Sequence, residues 1–319
     1  MKDQMTPNSP ANRGKFIDPA RTAKGEPRAT VALSGLTTLW FNTGTLCNIT
    51  CVNCYIDSSP VNDALVYLTL AEVARFLDEA AAAHPTLAEI GFTGGEPFLN
   101  PDIIAMADAA LSRGYRVLIL TNAMRPMLRP RVQAGLADLI ARYAERLTLR
   151  VSLDHHTAPL HDGLRGEGGF AETLRGMEWL RDQGATMTVA GRSTWGETDA
   201  AARAGYAALY AAQGFAIDAQ DPAATVIFPE MDLTAEVPEI TTACWGILHK
   251  SPDSVMCASS RMVVHRKGAS AASVVACTLL PYDMQFDMGA TLADAARPVA
   301  LNHPHCAKFC VLGGASCSA

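Results

Sequence analysis

From residue 37 to residue 228 the chain alternates between two patterns. Short apolar runs at residues 37–41, 89–92, 116–120, 147–153, 186–190 and 225–228 read as strands. Between them, residues 70–83, 101–113, 132–144, 170–183 and 200–213 are amphipathic at helical spacing or rich in alanine, and read as helices. Gly114, Gly184 and Gly214 each follow one of these stretches, where a left-handed helix cap is common. Strands alternating with helices predict an α/β fold, with a parallel sheet and helices on its outer face. Ligand-handling residues are then expected beyond the strand C-termini.

The pattern changes at both ends. Residues 1–35 are polar and carry Pro7, Pro10, Pro19 and Pro27, which predicts a flexible tail. Residues 256–268 read as a strand running into a basic turn, and 272–276 as a second strand. The chain thus divides into a tail (1–35), a β/α body (36–235) and a C-terminal extension (236–319).

Composition narrows the partners. The 319 residues carry 26 Lys and Arg against 32 Asp and Glu, a net charge of −6, which argues against nucleic acid. The apolar runs are too short to cross a bilayer, so no membrane partner is expected. The N-terminal stretch lacks the apolar core of a secretory signal. Nine cysteines in such a chain point to a reducing, cytoplasmic setting and to metal or redox chemistry.

Three of them, Cys47, Cys51 and Cys54, form a C-x3-C-x2-C loop after the first strand. Three thiolates on one loop can hold three irons of a cubic [4Fe–4S] cluster and leave the fourth iron open to a small molecule. A zinc site usually shows C-x2-C pairs or Cys/His mixtures, so the C-x3-C arm fits zinc poorly. About forty residues later a strand ends in Thr93-Gly94-Gly95-Glu96-Pro97. The glycines allow close backbone approach to a ligand, and the carboxylate can accept hydrogen bonds from an ammonium group.

Together these two motifs resemble the radical S-adenosylmethionine (SAM) superfamily. The resemblance implies a SAM-binding [4Fe–4S] cluster, with the residues from Thr93 to Glu96 at the methionyl amine. It implies reductive cleavage of SAM to a 5′-deoxyadenosyl radical that removes a hydrogen atom from a substrate. A flavodoxin or ferredoxin would then be the reductant.

The likeness extends further along the chain. Ser152-Leu153-Asp154, then His161-Asp162, Arg165-Gly166 and Gly169-Phe170, follow an order similar to the branch of molybdopterin-precursor synthase and the SPASM/twitch enzymes. That branch implies a partial (β/α)6 barrel with a small C-terminal twitch-like β-hairpin/helix extension. Ser152 matches a position near the SAM ribose or carboxylate. Arg192, at another strand end, is a candidate carboxylate partner. Before the third cysteine, where the superfamily often has an aromatic residue, stands Asn53, expected at the adenine edge; Tyr55 is expected in the core. His155 replaces a glycine common after the aspartate. For His155, His156 and His161, hydrogen bonding within a polar loop is a more frequent explanation than catalysis, so no catalytic residue is assigned.

The remaining cysteines begin at Cys244. Cys257 and Cys277 bracket the predicted hairpin and can share one metal centre, and Cys306, Cys310 and Cys317 follow. This order resembles a twitch or shortened SPASM extension. It implies an auxiliary [4Fe–4S] cluster on Cys257, Cys277, Cys306 and Cys310, with Cys317 competing as fourth ligand. A zinc ribbon is the alternative, and Cys244 beside Trp245 reads as a core thiol. The expected function is oxidation or rearrangement of a small biosynthetic metabolite, the tail being short and polar for a leader-binding domain. The alternatives are modification of a peptide or protein and, from another class, a non-catalytic iron–sulfur electron carrier.

Overall fold

A computed structural model describes residues 12–230 and 235–313. A two-residue strand, β1 (Thr30–Val31), precedes six parallel strands: β2 (Thr38–Asn42), β3 (Glu89–Thr93), β4 (Arg116–Thr121), β5 (Leu147–Ser152), β6 (Thr186–Arg192) and β7 (Thr225–Phe228). Helices α1 (Leu70–Ala83), α2 (Ile103–Ser112), α3 (Pro130–Tyr143), α4 (Ala158–Arg165), α5 (Gly169–Asp182) and α6 (Asp199–Gln213) alternate with them. This is the expected α/β body, an open parallel barrel wall with helices outside.

Each helix buries one stripe. In α1, Val73, Phe76, Leu77 and Ala80 recur every three or four residues and face the sheet. Thr69 caps that helix: its hydroxyl accepts from the Glu72 amide, and the Glu72 carboxylate accepts from the Thr69 amide. The opposite face of the sheet is filled by Trp40, Leu118, Met262 and Val264. Gly91 makes this possible, because a Cβ there would lie 2.3 Å from the Trp40 ring.

The sheet continues into the extension, which also holds α7 (Cys244–Leu248). β8 (Ser260–Val264) pairs in parallel with β2, and β9 (Ser273–Val275) and β10 (Asp287–Gly289) follow antiparallel. The order is β10-β9-β8-β2-β3-β4-β5-β6-β7. The predicted hairpin therefore lengthens the barrel wall at its β2 edge, which holds the cysteines bracketing it close to the body.

Two expectations need correction. The flexible tail does not extend over residues 12–35. Phe16, Ala29 and Val31 are buried there, and β1 pairs antiparallel with β11 (Val299–Ala300). Arg28 pairs with Glu239 at 2.6 Å and donates to the carbonyls of Asp18, Arg21 and Leu301. The polar groups that suggested a solvated tail are satisfied by protein instead. The second correction is α4, which periodicity did not reveal. Pro159 and Gly163 lower its apparent propensity, although proline is tolerated in a first turn. Among the described residues, no helix is long and apolar enough to cross a membrane.

Candidate active site

The loop after β2 carries Cys47, Cys51 and Cys54 and is clamped by its backbone. Thr45 N–H donates to Leu65 O at 3.0 Å and Cys47 N–H to Ser59 O at 3.0 Å. Val52 N–H donates to Leu164 O of α4 at 2.8 Å. Asn53 and Asp57 adopt left-handed φ values of 54° and 48°, which turns the chain back on itself. Burial pushes the Cys47 thiol up to about 12, and Glu96, Cys51 and Cys54 add to it. Burial also raises Cys51, against the pull of Arg165. Crowded thiols, two of them with raised pKa values, suit a metal centre, whose positive charge is what their ionised forms lack.

The end of β3 lies directly on this loop. Gly95 N–H donates to Gly44 O at 2.8 Å, and Glu96 N–H to Leu46 O at 3.2 Å. A Cβ on Gly95 would sit 2.1 Å from Leu46 O, and one on Gly94, whose φ is +144°, 2.5 Å from Gly44 O. Only glycine permits this approach. The buried Glu96 carboxylate accepts from the Phe98 amide at 3.1 Å, the Asn122 amide at 2.9 Å and the Thr121 hydroxyl at 2.9 Å. Burial nevertheless pushes its pKa up to about 7. Glu96 thus ties the end of β3 to the end of β4. Thr93 Oγ1 lies 3.0 Å from the Tyr55 hydroxyl.

Beside the loop, a cavity of about 120 Å³ opens at the strand ends. Asn53, Ser152, Asp154 and Arg192 line it, together with Leu279 and Phe309 of the extension. Arg165 clamps Asp154 with two bonds, of 2.6 and 3.0 Å. Arg192 Nε approaches the same carboxylate at 3.3 Å, and its Nη1 donates to the Val52 carbonyl at 3.1 Å. Burial opposes ionisation of Asp154, but Arg165 beside it holds its carboxyl below the usual range. His161 accepts the Asp154 amide at Nδ1, at 3.2 Å, and burial pushes it down to about 4. It supports the loop as a neutral ring.

Asn53, Ser152 and Arg192 therefore reach one cavity next to the thiols. Thr93, Gly94, Gly95 and Glu96 are not on its walls; they seat the cysteine loop. Asn53 already donates to Glu230 at 2.7 Å. Tyr55, expected in the core, lines the cavity as well as packing against the core. The Asp154–Arg165 clamp was not anticipated. Both residues stood out as motif letters, but only the unpredicted α4 turns them toward each other.

In the extension, Cys257 precedes β8 and Cys277 follows β9, and Cys306 joins them on a π-helical turn, Cys306–Leu312. Cys306 is pushed well up, first by burial and then by Cys277 and Cys257. Cys257 is pushed up to about 11 by burial. Arg261, 1% exposed, donates to the carbonyls of Cys257, Ser260 and Ala295. Among the described residues no carboxylate pairs with it. A buried guanidinium beside Cys257 and Cys277 is costly unless those sulfurs carry charge, so the donor set fits an anionic metal–thiolate centre. Cys310 lies four residues beyond Cys306 on the same turn, and Cys317 lies outside the described residues. Cys244 accepts the Thr241 amide at 3.3 Å and is half-buried at the edge of the core rather than a fully buried core thiol.

The family model described as "Radical SAM superfamily" matches residues 41–199, which include the thiol loop and the cavity-lining ends of β4, β5 and β6. The chain belongs to the radical SAM superfamily. As a radical SAM enzyme it uses a [4Fe–4S] cluster and SAM. The Bacillus subtilis antilisterial bacteriocin subtilosin biosynthesis protein AlbA is 29% identical over 145 residues, covering 45% of this chain and 30% of AlbA. An AdoMet-dependent heme synthase of Methanosarcina barkeri is 34% identical over 139 residues, 42% of this chain and 36% of that protein. Mycofactocin maturase MftC of Mycobacterium ulcerans is 31% identical over 138 residues, 43% of this chain and 34% of MftC. The matched stretch thus spans about a third of each relative. Streptococcus suis SuiB bound to SAM shares the fold, with a TM-score of 0.59 at 13% identity over 80% of this chain and 63% of SuiB.

Proposed function

We propose that this radical SAM enzyme modifies a peptide or protein by abstracting a hydrogen atom, and that its C-terminal thiols hold an auxiliary [4Fe–4S] cluster that takes up an electron. The observation that carries the redox part is the shared cavity. Its walls join the Cys47–Cys51–Cys54 loop to the extension through Leu279, two residues after Cys277, and Phe309, one before Cys310.

In this reading Cys47, Cys51 and Cys54 hold the SAM-binding cluster, and Asn53, Ser152 and Arg192 face SAM. Cys257, Cys277 and Cys306 hold the auxiliary cluster, with Cys310 or Cys317 as fourth ligand. Bound there, cluster and SAM supply a 5′-deoxyadenosyl radical able to take a substrate hydrogen atom. The chain orients and shields. Arg165 fixes Asp154, which fixes Arg192; Phe228 stacks on Phe309 at 5.7 Å between centroids, setting two apolar rings in the cavity wall. Held by these residues, the two cofactors would supply the acceptors of a two-electron oxidation, SAM's adenosyl group for a hydrogen atom and the auxiliary cluster for an electron, with a proton released to solvent. A flavodoxin or ferredoxin would return electrons to the first cluster.

The relatives favour a peptide over the small metabolite expected from sequence alone. One is a bacteriocin biosynthesis protein, another a maturase, and SuiB has been solved with its precursor peptide SuiA. The heme synthase keeps a metabolite as the competing reading. A test separates the two. Extract of cells grown on deuterated medium is split into peptide-sized and metabolite-sized fractions, and each is incubated anaerobically with enzyme, SAM and dithionite. Deuterium in 5′-deoxyadenosine from the peptide fraction supports the proposal. Deuterium from the metabolite fraction alone overturns it.

A further inference from the structure

The loops after β5 and β6 meet in a second group of ligating side chains, outside the cavity. His155 and His156 follow Asp154, and Glu197 stands shortly before α6. One ligand atom from each lies within 4.8 Å of the others. His155 is buried; its Nε2 is 2.8 Å from a Glu197 oxygen and its Nδ1 is 2.9 Å from the Thr157 hydroxyl. His156 stacks on His155 with ring centroids 4.0 Å apart. Its Nε2 edge abuts α6, where a Cβ on Gly205 would meet that nitrogen at 2.3 Å. The nitrogen left on the other edge is Nδ1, which is buried and has no hydrogen-bond partner. An unsatisfied buried imidazole nitrogen is uncommon and calls for an explanation.

We propose that His155, His156 and Glu197 bind a divalent first-row metal ion of the zinc type, joining the two loops. Two imidazoles and one carboxylate are a donor set that such ions accept. Zinc bonds of about 2.0–2.2 Å put tetrahedral donors about 3.4 Å apart, so on binding the His155–Glu197 pair, now 2.8 Å apart, opens by about 0.6 Å while the widest separation, at most 4.8 Å, closes. Glu197, with 32% of its side chain exposed, has the freedom to make that shift. The His155 proton moves from Nε2, which becomes a ligand, to Nδ1. There the Thr157 hydroxyl accepts it, in exchange for the Thr157 amide bond that Nδ1 now receives. A ligating histidine ordinarily has such an outer partner.

The metal would act as a brace, not a reacting centre. His155 adjoins Asp154, and Glu197 is on the loop that follows Arg192, so the ion would fix the spacing of the Asp154–Arg192 contact. Burial already biases His156 toward its neutral, ligating form. Sequence reading passed over this group because Glu197 lies some forty residues from the histidine pair.

The test uses the iron–sulfur-loaded enzyme, so that its cysteines are occupied. Wild type, Glu197→Gln and His156→Gln are incubated with Zn(II), desalted, and analysed for zinc and iron. Wild type is expected to retain a single zinc ion and to gain unfolding temperature, and both variants to lose the zinc at unchanged iron content. Glu197→Gln alters only a partly exposed side chain, which keeps folding out of question. No retained zinc in wild type, or equal zinc in all three proteins, overturns the proposal.

Discussion

Replacing Asp154 with asparagine isolates the clamp beneath the cavity. Asp154 is 2% exposed and accepts two bonds from Arg165, whose side chain is only 9% exposed. Asparagine keeps the shape and removes the charge, leaving a buried guanidinium beside Cys51. Breaking such a pair from one side costs about 3–5 kcal/mol. Arg192 at 3.3 Å, with 17% of its side chain exposed, adds less. Anaerobic denaturant unfolding of Asp154→Asn should therefore show a loss of about 3 kcal/mol or more. The double variant Asp154→Asn/Arg165→Met should recover part of it, because the orphaned charge is gone. The pH dependence has a defined sign. The folded pKa of Asp154 lies below its ordinary 3.8, so its contribution is present above that value and lost as pH falls through the folded one. Wild type should thus lose more stability below pH 4 than Asp154→Asn does. A cost under about 1 kcal/mol, the range of exposed ion pairs, would refute the reasoning.

Three further outcomes follow from the geometry. Gly95→Ala places a methyl 2.1 Å from Leu46 O, where a carbon–oxygen contact needs about 3.3 Å, so the cysteine loop must move by about 1 Å. Iron bound by the first cluster and SAM cleavage should both fall while the far-ultraviolet circular dichroism stays unchanged. Arg28→Met leaves the Glu239 carboxylate with only the Phe16 and Ala23 amides and should cost about 2 kcal/mol, read as faster proteolysis within residues 12–29; unchanged cleavage would mean that this segment is not held. Cys257→Ala and Cys277→Ala should keep SAM cleavage without substrate but stop product formation, and normal turnover in either would remove the extension from the chemistry.

The body was legible because its strands and helices carry clean periods and its glycines follow the helices. The thiol loop and the glycines pressed against it were legible for a related reason: their spacing encodes a local geometry. What escaped depends on partners distant in sequence. Residues 12–35 look solvated until Glu239 and the Leu301 carbonyl satisfy Arg28. Arg165 acquires its role only through α4, whose proline and glycine hide the helix. Glu96 was read as a partner for an ammonium group; that it also ties the end of β3 to the Thr121 hydroxyl and the Asn122 amide is announced by no local pattern. The hairpin was found, but its parallel pairing with β2 comes from a strand more than two hundred residues away.

The central claim is that two thiol groups hold two iron–sulfur centres beside one shared cavity. Iron and sulfide content after anaerobic reconstitution tests it most directly, on wild type and on a variant with Cys47, Cys51 and Cys54 all changed to Ala. The account predicts about eight irons per chain in wild type and about four in the variant. About four in wild type and none in the variant would contradict it, leaving the thiols of the extension to zinc or to the core and removing the electron acceptor from the proposed oxidation.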